Sequence, residues 1–181
     1  MTLSIVKNNE QSIEDLAGEF LKQSQGKWKS QRRYYTLNKD IEPIEVVSFL
    51  EVKCLAAGAK ELIELARSHQ LQSDDILKSG FLVSWESQYI KETRKPSIGA
   101  TVFGLLGNKL YRDRGFATSS PVTAILSFTN PQTMCLRTEY GGSVFEEEVK
   151  LIGTQYRTRQ TIISRAGEQI TIGQYLEERI A

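Results

Sequence analysis

The chain is short of the groups on which most enzyme classes depend. One histidine, His69, stands in 181 residues, which removes most hydrolase triads and most transition-metal sites. Two cysteines, Cys54 and Cys135, lack CxxC spacing and indicate neither a disulfide framework nor a zinc site. No run approaches the ~20 apolar residues of a membrane-spanning helix, so membrane insertion is not expected. A net charge of +1 gives no general attraction to nucleic acid or anionic lipid. Any anion must therefore be held by local arrangement. Met1 to Glu10 has neither an apolar h-region nor an Arg/Ser bias, so no secretory or transit signal is expected. The expected compartment is the cytosol, or the stroma of an organelle that encodes its own genes.

What is present suits one domain over residues 1–181, with 40% hydrophobic and 25% charged residues. Ile13, Leu16, Ala17, Phe20 and Leu21 recur at helical spacing, with Ser12 as cap, Asp15 in the capping-box position and Gly26 as stop. A second helix is predicted over Ala59 to Leu71, with Leu62, Leu65, Ala66 and His69 on one stripe. His69, near the helix end, reads as structural. Between them Ile44, Val46, Ser48, Leu50, Val52 and Cys54 make one face of a long strand, and Cys54 reads there as a small buried hydrophobe.

From Phe81 onward the chain reads almost entirely as strands. Phe81, Val83 and Trp85 share a face, and a strand loosened by Gly99 and Gly104 follows. Turn signals at Gly107-Asn108, Asn130-Pro131 and Gly141-Gly142 separate later strands, and Gln174 to Ile180 suits a short helical turn. An antiparallel meander of this length tends to close, since an open sheet leaves exposed edges. The predicted fold is mainly β: one barrel with the first helix near an end and the second inserted.

Two strands break the apolar-in, polar-out rule. In Gly26 to Tyr35, one face carries Trp28, Ser30, Arg32 and Tyr34; the other carries Lys29, Gln31, Arg33 and Tyr35. In the penultimate strand Arg157, Arg159, Thr161 and Ile163 share a face. Its neighbour places Glu147 within the apolar set Phe145, Val149 and Leu151. An inward guanidinium costs free energy unless it is paired. Glu147 could close an internal ion pair with Arg157 or Arg159. Alternatively, the lumen holds a flat, largely apolar ligand with more than one carboxylate, since arginine suits bidentate carboxylate recognition. Trp28, Trp85 and Tyr34 would supply its flat walls.

Gly26-Lys27-Trp28-Lys29-Ser30-Gln31-Arg32 resembles the N-terminal signature of the S-type phycobiliprotein lyases, the CpcS/CpeS family of bilin lyases. Val83-Ser84-Trp85-Glu86, Arg112-Asp113-Arg114-Gly115-Phe116 with Pro121-Val122, Thr138-Glu139-Tyr140, Glu147-Glu148 and Tyr156-Arg157-Thr158-Arg159 agree in the same order. The resemblance implies a lipocalin-like antiparallel barrel of about ten strands holding an open-chain tetrapyrrole as substrate, with no separate cofactor. It implies transfer of that phycobilin, such as phycocyanobilin, to a cysteine of an apo-phycobiliprotein subunit, as a thioether at the ring A ethylidene. The nucleophile then belongs to the acceptor, in agreement with inert readings for Cys54 and Cys135. Arg32, Arg157 and Arg159 would face the two propionates. Glu147 and Arg159 would be catalytic, with Glu147 binding or protonating the pyrroles. Trp28, Tyr34, Val83, Trp85 and Thr161 would complete the binding site. Tyr35 and Thr36 replace histidines common in the family, and Lys91 replaces a second tryptophan. In these respects the chain resembles the U-type partner subunits, so a homodimer or a heterodimer with a related subunit is expected. A non-catalytic bilin carrier is the alternative, and a fatty-acid carrier is disfavoured by three candidate inward arginines.

Overall fold

The computed structural model describes residues 11–91 and 93–181; the reading of Met1 to Glu10 lies outside them. Ten strands follow one another as a meander and close into a barrel in which each strand pairs antiparallel with its chain neighbours and β1 pairs with β10. They are β1 (Gly26–Thr36), β2 (Ile44–Ala56), β3 (Ser79–Tyr89), β4 (Ser97–Leu106) and β5 (Lys109–Arg112). After the loop 113–121 come β6 (Val122–Asn130), β7 (Thr133–Tyr140), β8 (Ser143–Ile152), β9 (Tyr156–Arg165) and β10 (Glu168–Arg179). Closure leaves no sheet edge to protect.

Helix α1 (Ile13–Ser24) precedes the barrel. The Ser12 hydroxyl accepts from the Asp15 amide at 3.1 Å and satisfies one orphan donor of the first turn. The helix buries Ala17, Phe20 and Leu21 in the same core as Leu50, Phe103 and Leu126, and so closes one end of the barrel. Burying such side chains contributes about 1.5–3 kcal/mol each, which a 12-residue helix needs because it is marginal alone. Its C-terminal carbonyls are satisfied by Arg179 of β10, which donates to Gln23 O and Gln25 O at 2.5 Å each. Gly26 serves β1 with a φ of 131°, and its missing Cβ leaves room for the Arg179 guanidinium and Ala181 O.

Helix α2 (Lys60–Ser68) lies outside the barrel against β4. Leu62, Leu65, Ala66 and Leu77 form a satellite core there. Gly80 and Gly104, paired across β3 and β4, admit it: a Cβ on Gly80 would stand 2.6 Å from Leu62 Cδ2, and one on Gly104 2.7 Å from Leu77 Cδ1. His69 follows α2, its Nε2 2.8 Å from Arg112 O and its ring edge-on to Tyr111. It fastens the helix to β5, the structural role its position suggested.

Two expectations are corrected. Gln174 to Ile180 is no helical turn: residues 174–179 are strand, part of β10, which completes the ring between β1 and β9. Cys54 is exposed, because β2 runs past the barrel rim at that point. Its thiol still approaches Leu21 O at 3.6 Å, and partial burial raises its pKa, so it remains a poor nucleophile.

Candidate functional site

The barrel encloses a cavity of about 750 Å³, within the range of small-molecule sites. Arg32, Tyr34, Val83, Trp85, Glu147, Arg157, Arg159 and Thr161 all line it. Trp28 does not. Its indole is fully buried at the end closed by α1, donates from Nε1 to Ser24 O at 2.9 Å, and lies under the guanidiniums of Arg157 and Arg179 at 4.6 and 4.2 Å. The expected flat wall at Trp28 is therefore a support beneath the floor, because period two starts β1 at the helix rather than in the lumen.

The inward faces of β8, β9, β10 and β1 form a cationic wall. Register places Arg32, Tyr175 and Arg159 in one row and Ser30, Glu177 and Arg157 in the next, towards the floor. Glu177 is fully buried. It accepts from Arg157 Nε and, at 3.1 Å, from Ser30 Oγ, with Arg159 Nη1 4.0 Å away. Burial alone would raise its pKa, but Arg157 and then Arg159 outweigh it and hold the carboxyl below its ordinary value. Burial is also the largest influence on Arg157 and lowers its pKa. Arg159 donates from Nη2 to Glu147 at 2.9 Å; burial opposes its charge, yet Glu177 and Glu147 prevail and raise its pKa. The internal ion pair anticipated for Glu147 thus exists, with a second carboxylate beside it.

Arg32 makes no carboxylate contact among the described residues: its Nε donates to Ser30 Oγ at 3.1 Å and its guanidinium lies 5.2 Å from the Tyr175 ring. Tyr34 meets Tyr175 edge-on at 5.7 Å, and Thr161 Oγ1 donates to the Tyr175 hydroxyl at 3.5 Å. Burial raises the Tyr175 pKa, so the phenol stays neutral. Gly173 leaves room for this packing, since a Cβ there would stand a tight 3.1 Å from the Tyr175 ring.

The opposite wall, from β2 to β4, is mostly apolar. Val46, Leu50 and Val52 continue into Phe81, stacked on Phe103 at 4.3 Å, and into Val83 and Trp85. The Trp85 indole covers Gly99, where a Cβ would meet its ring at 2.5 Å. The sequence alone does not single out Glu177 and Tyr175, because Gln174 to Ile180 suits a helical turn. The available signal was the inverted alternation of β10, with Tyr175 and Glu177 on one face and Leu176 and Glu178 on the other, the same anomaly as β1.

A flat molecule with an anionic edge fits such a cavity: rings against the aromatic wall, carboxylates towards the arginines. A protein-family model described as CpeS-like protein matches residues 17–180. A relative named "Putative phycocyanobilin lyase CpcS 2", from Nostoc sp., is 59% identical over 90% of this chain and 89% of its own length. One named "Putative chromophore lyase CpcV", from Picosynechococcus sp., is 48% identical over 89% of this chain and 80% of its own. Among solved structures, the S-type phycobiliprotein lyase CPES from Guillardia theta has the same fold, with a TM-score of 0.76 at 23% identity over 91% of this chain and 93% of that one.

Proposed function

We propose, for a chain that belongs to the CpeS-like family, that it is a bilin lyase. It holds an open-chain tetrapyrrole as substrate in the barrel and promotes its attachment to a cysteine of a phycobiliprotein subunit. The observation that carries this reading is the cavity of about 750 Å³ with a cationic wall facing an aromatic one. Arg32, Arg157 and Arg159 confront two carboxylates, Glu147 and Glu177, which leaves a positive charge for a ligand carboxylate. A fatty-acid carrier would gain little from so many buried cations, each of which costs desolvation.

In the reaction, the acceptor thiol adds across the exocyclic double bond of ring A. A C–S bond forms, the proton ends on the tetrapyrrole, and nothing leaves. The Glu147 carboxyl, held by Arg159, lies beside Thr161 on the next strand and exchanges protons with the pyrrole N–H groups. Trp85 and Val83 orient the rings, and enclosure keeps water from the electrophile. Trp28 acts at one remove, by fixing Arg157 from beneath.

The working unit is a dimer, with a second copy or a related subunit, and works in the cytosol of a phycobilin-making cell. The reading rests on Tyr35, Thr36 and Lys91, the positions at which the chain resembles U-type partner subunits. Mixing the protein with phycocyanobilin should shift and sharpen the bilin absorption; an unchanged spectrum would sink the reading. Adding apo-phycobiliprotein subunits, with and without a related lyase subunit, and staining denaturing gels for zinc fluorescence separates lyase from carrier. A bilin that never becomes covalent in any combination would leave a carrier.

A further inference from the structure

The mostly apolar side of the lumen carries a buried guanidinium that the reading above does not use. Arg112 ends β5, is 9% exposed and lines the cavity. In a ring of ten strands β5 stands across from β10, where Glu177 and Tyr175 sit. Among the described residues Arg112 makes no ion pair, and its buried Nε has no hydrogen-bond partner. The adjacent Asp113 is committed elsewhere, accepting from Thr101 Oγ1 at 2.6 Å and Val102 N at 3.1 Å.

What holds Arg112 is aromatic and backbone. Its guanidinium lies 4.7 Å from the Phe103 ring centre and 5.1 Å from that of Phe116, and its carbonyl is 2.8 Å from His69 Nε2. With aromatic rings as its neighbours and no carboxylate bonded to it among the described residues, the fork keeps N–H groups for a planar bidentate partner. Burial lowers its pKa, while Glu147 attracts it and Arg159 repels it. A buried cation with no carboxylate bonded to it destabilises the empty protein. Such an arrangement makes physical sense when an anion arrives with the ligand.

The geometry points to Arg112 as a second carboxylate anchor, taking one propionate of the bilin while the Arg32 and Arg159 side takes the other. This rests on the bilin reading and deepens it. On the cationic wall three guanidiniums meet two carboxylates, which leaves one positive charge. Arg112 supplies another, from β5 across the ring. Two buried anchors on opposite sides of the lumen suit a dicarboxylate better than a monocarboxylate.

The test compares phycocyanobilin as free diacid with its dimethyl ester by absorption titration of the parent and Arg112→Gln. The substitution should weaken diacid binding about ten- to hundredfold, the range for charged hydrogen bonds. Ester binding should change less than about twofold, and the ligand-free variant should melt no lower than the parent, since a packing role would lower it. Equal loss for diacid and ester, or undiminished diacid affinity, overturns the assignment. Should Arg112→Gln fail to fold, Arg112→Lys serves in the same comparison. It keeps charge but loses the fork, and should cost the diacid about three- to tenfold and spare the ester. If the parent binds neither form, the bilin reading falls and this inference with it; if the parent binds both and only the assignment fails, the bilin reading stands.

Discussion

The wall of β8, β9, β10 and β1 and the wall of β2, β3 and β4 face the same lumen, yet they are held in place by different physics. On the second, Val46, Leu50, Phe81, Val83 and Trp85 sit where burial alone favours them. On the first, Arg157, Arg159, Glu147 and Glu177 stay inward because each satisfies another, and no member can be removed without stranding a charge. The apolar wall is tolerant and shapes the cavity. The polar wall is interdependent and sets what the cavity can accept. Trp28 shows the dependence reaching outward: its indole lies under Arg157, and the same Arg179 that stands over it also closes the end of α1.

The sharpest way to break this contrast is at Glu177. Glu177→Ala leaves Arg157 buried without its carboxylate and should cost about 3–5 kcal/mol of stability, measured by urea denaturation. A cost no larger than that of a surface substitution would mean that the polar wall does not depend on it. The pH dependence carries a sign. Because the folded-state pKa of Glu177 lies below its ordinary value, its contribution is complete above the ordinary carboxylate range and is lost as pH falls through the folded value. The parent should therefore lose stability on acidification more steeply than Glu177→Gln; parallel acid limbs would refute the linkage.

The next contrast lies within the polar wall. Arg32 is bonded to Ser30 and faces Tyr175, so Arg32→Ala should fold normally while losing about 1.5–3 kcal/mol of bilin affinity in an absorption titration. Arg159→Ala strands Glu147 and weakens the hold on Glu177, so it should lower both affinity and melting temperature. If Arg32→Ala destabilised the empty protein as much as Arg159→Ala, Arg32 would belong to the scaffold rather than to the ligand. Glu147→Gln keeps the volume and one acceptor for Arg159. It should retain bilin binding and lose most transfer to the acceptor, read by zinc fluorescence on denaturing gels. Full transfer by Glu147→Gln would remove Glu147 from the chemistry.

How far the sequence carried this picture differs between the walls for a physical reason. Period two in β8 marked its inner face through Phe145, Val149 and Leu151, and thereby exposed Glu147 as an intruder. Arg157, Arg159 and Thr161 on β9 followed from the same parity. β10 was illegible because its alternation is inverted: Tyr175 and Glu177 point in while Leu176 points out half-exposed. A pattern keyed to apolar burial misreads a strand whose inward residues are satisfied by partners far away in sequence. Arg112 is not legible in the same way, since four residues of β5 show too little alternation to fix a face. Gly99 and Gly104 read as weak points in a strand, whereas each is a seat for a side chain from elsewhere.

The seat at Gly99 supplies the mildest test, on the aromatic wall. Trp85 and Gly99 are directly opposed across β3 and β4, so a Cβ on Gly99 would point into the face of the indole, at 2.5 Å from Cζ2. The atoms it meets belong to the far end of a side chain at a cavity, not to backbone, so the ring can lift into the lumen. Gly99→Ala should thus cost less than about 1.5 kcal/mol of stability. Gly80→Ala should cost more, because a Cβ there would stand 2.1 Å from Phe103 O, which cannot move without breaking the β3–β4 register. The displaced indole in Gly99→Ala would narrow the space for the tetrapyrrole and change its conformation, which an absorption spectrum of the bound bilin reads directly. An unaltered spectrum and affinity would mean that Trp85 shapes the empty barrel but does not touch the chromophore. The aromatic wall would then be scaffold, and specificity would rest on the arginines alone.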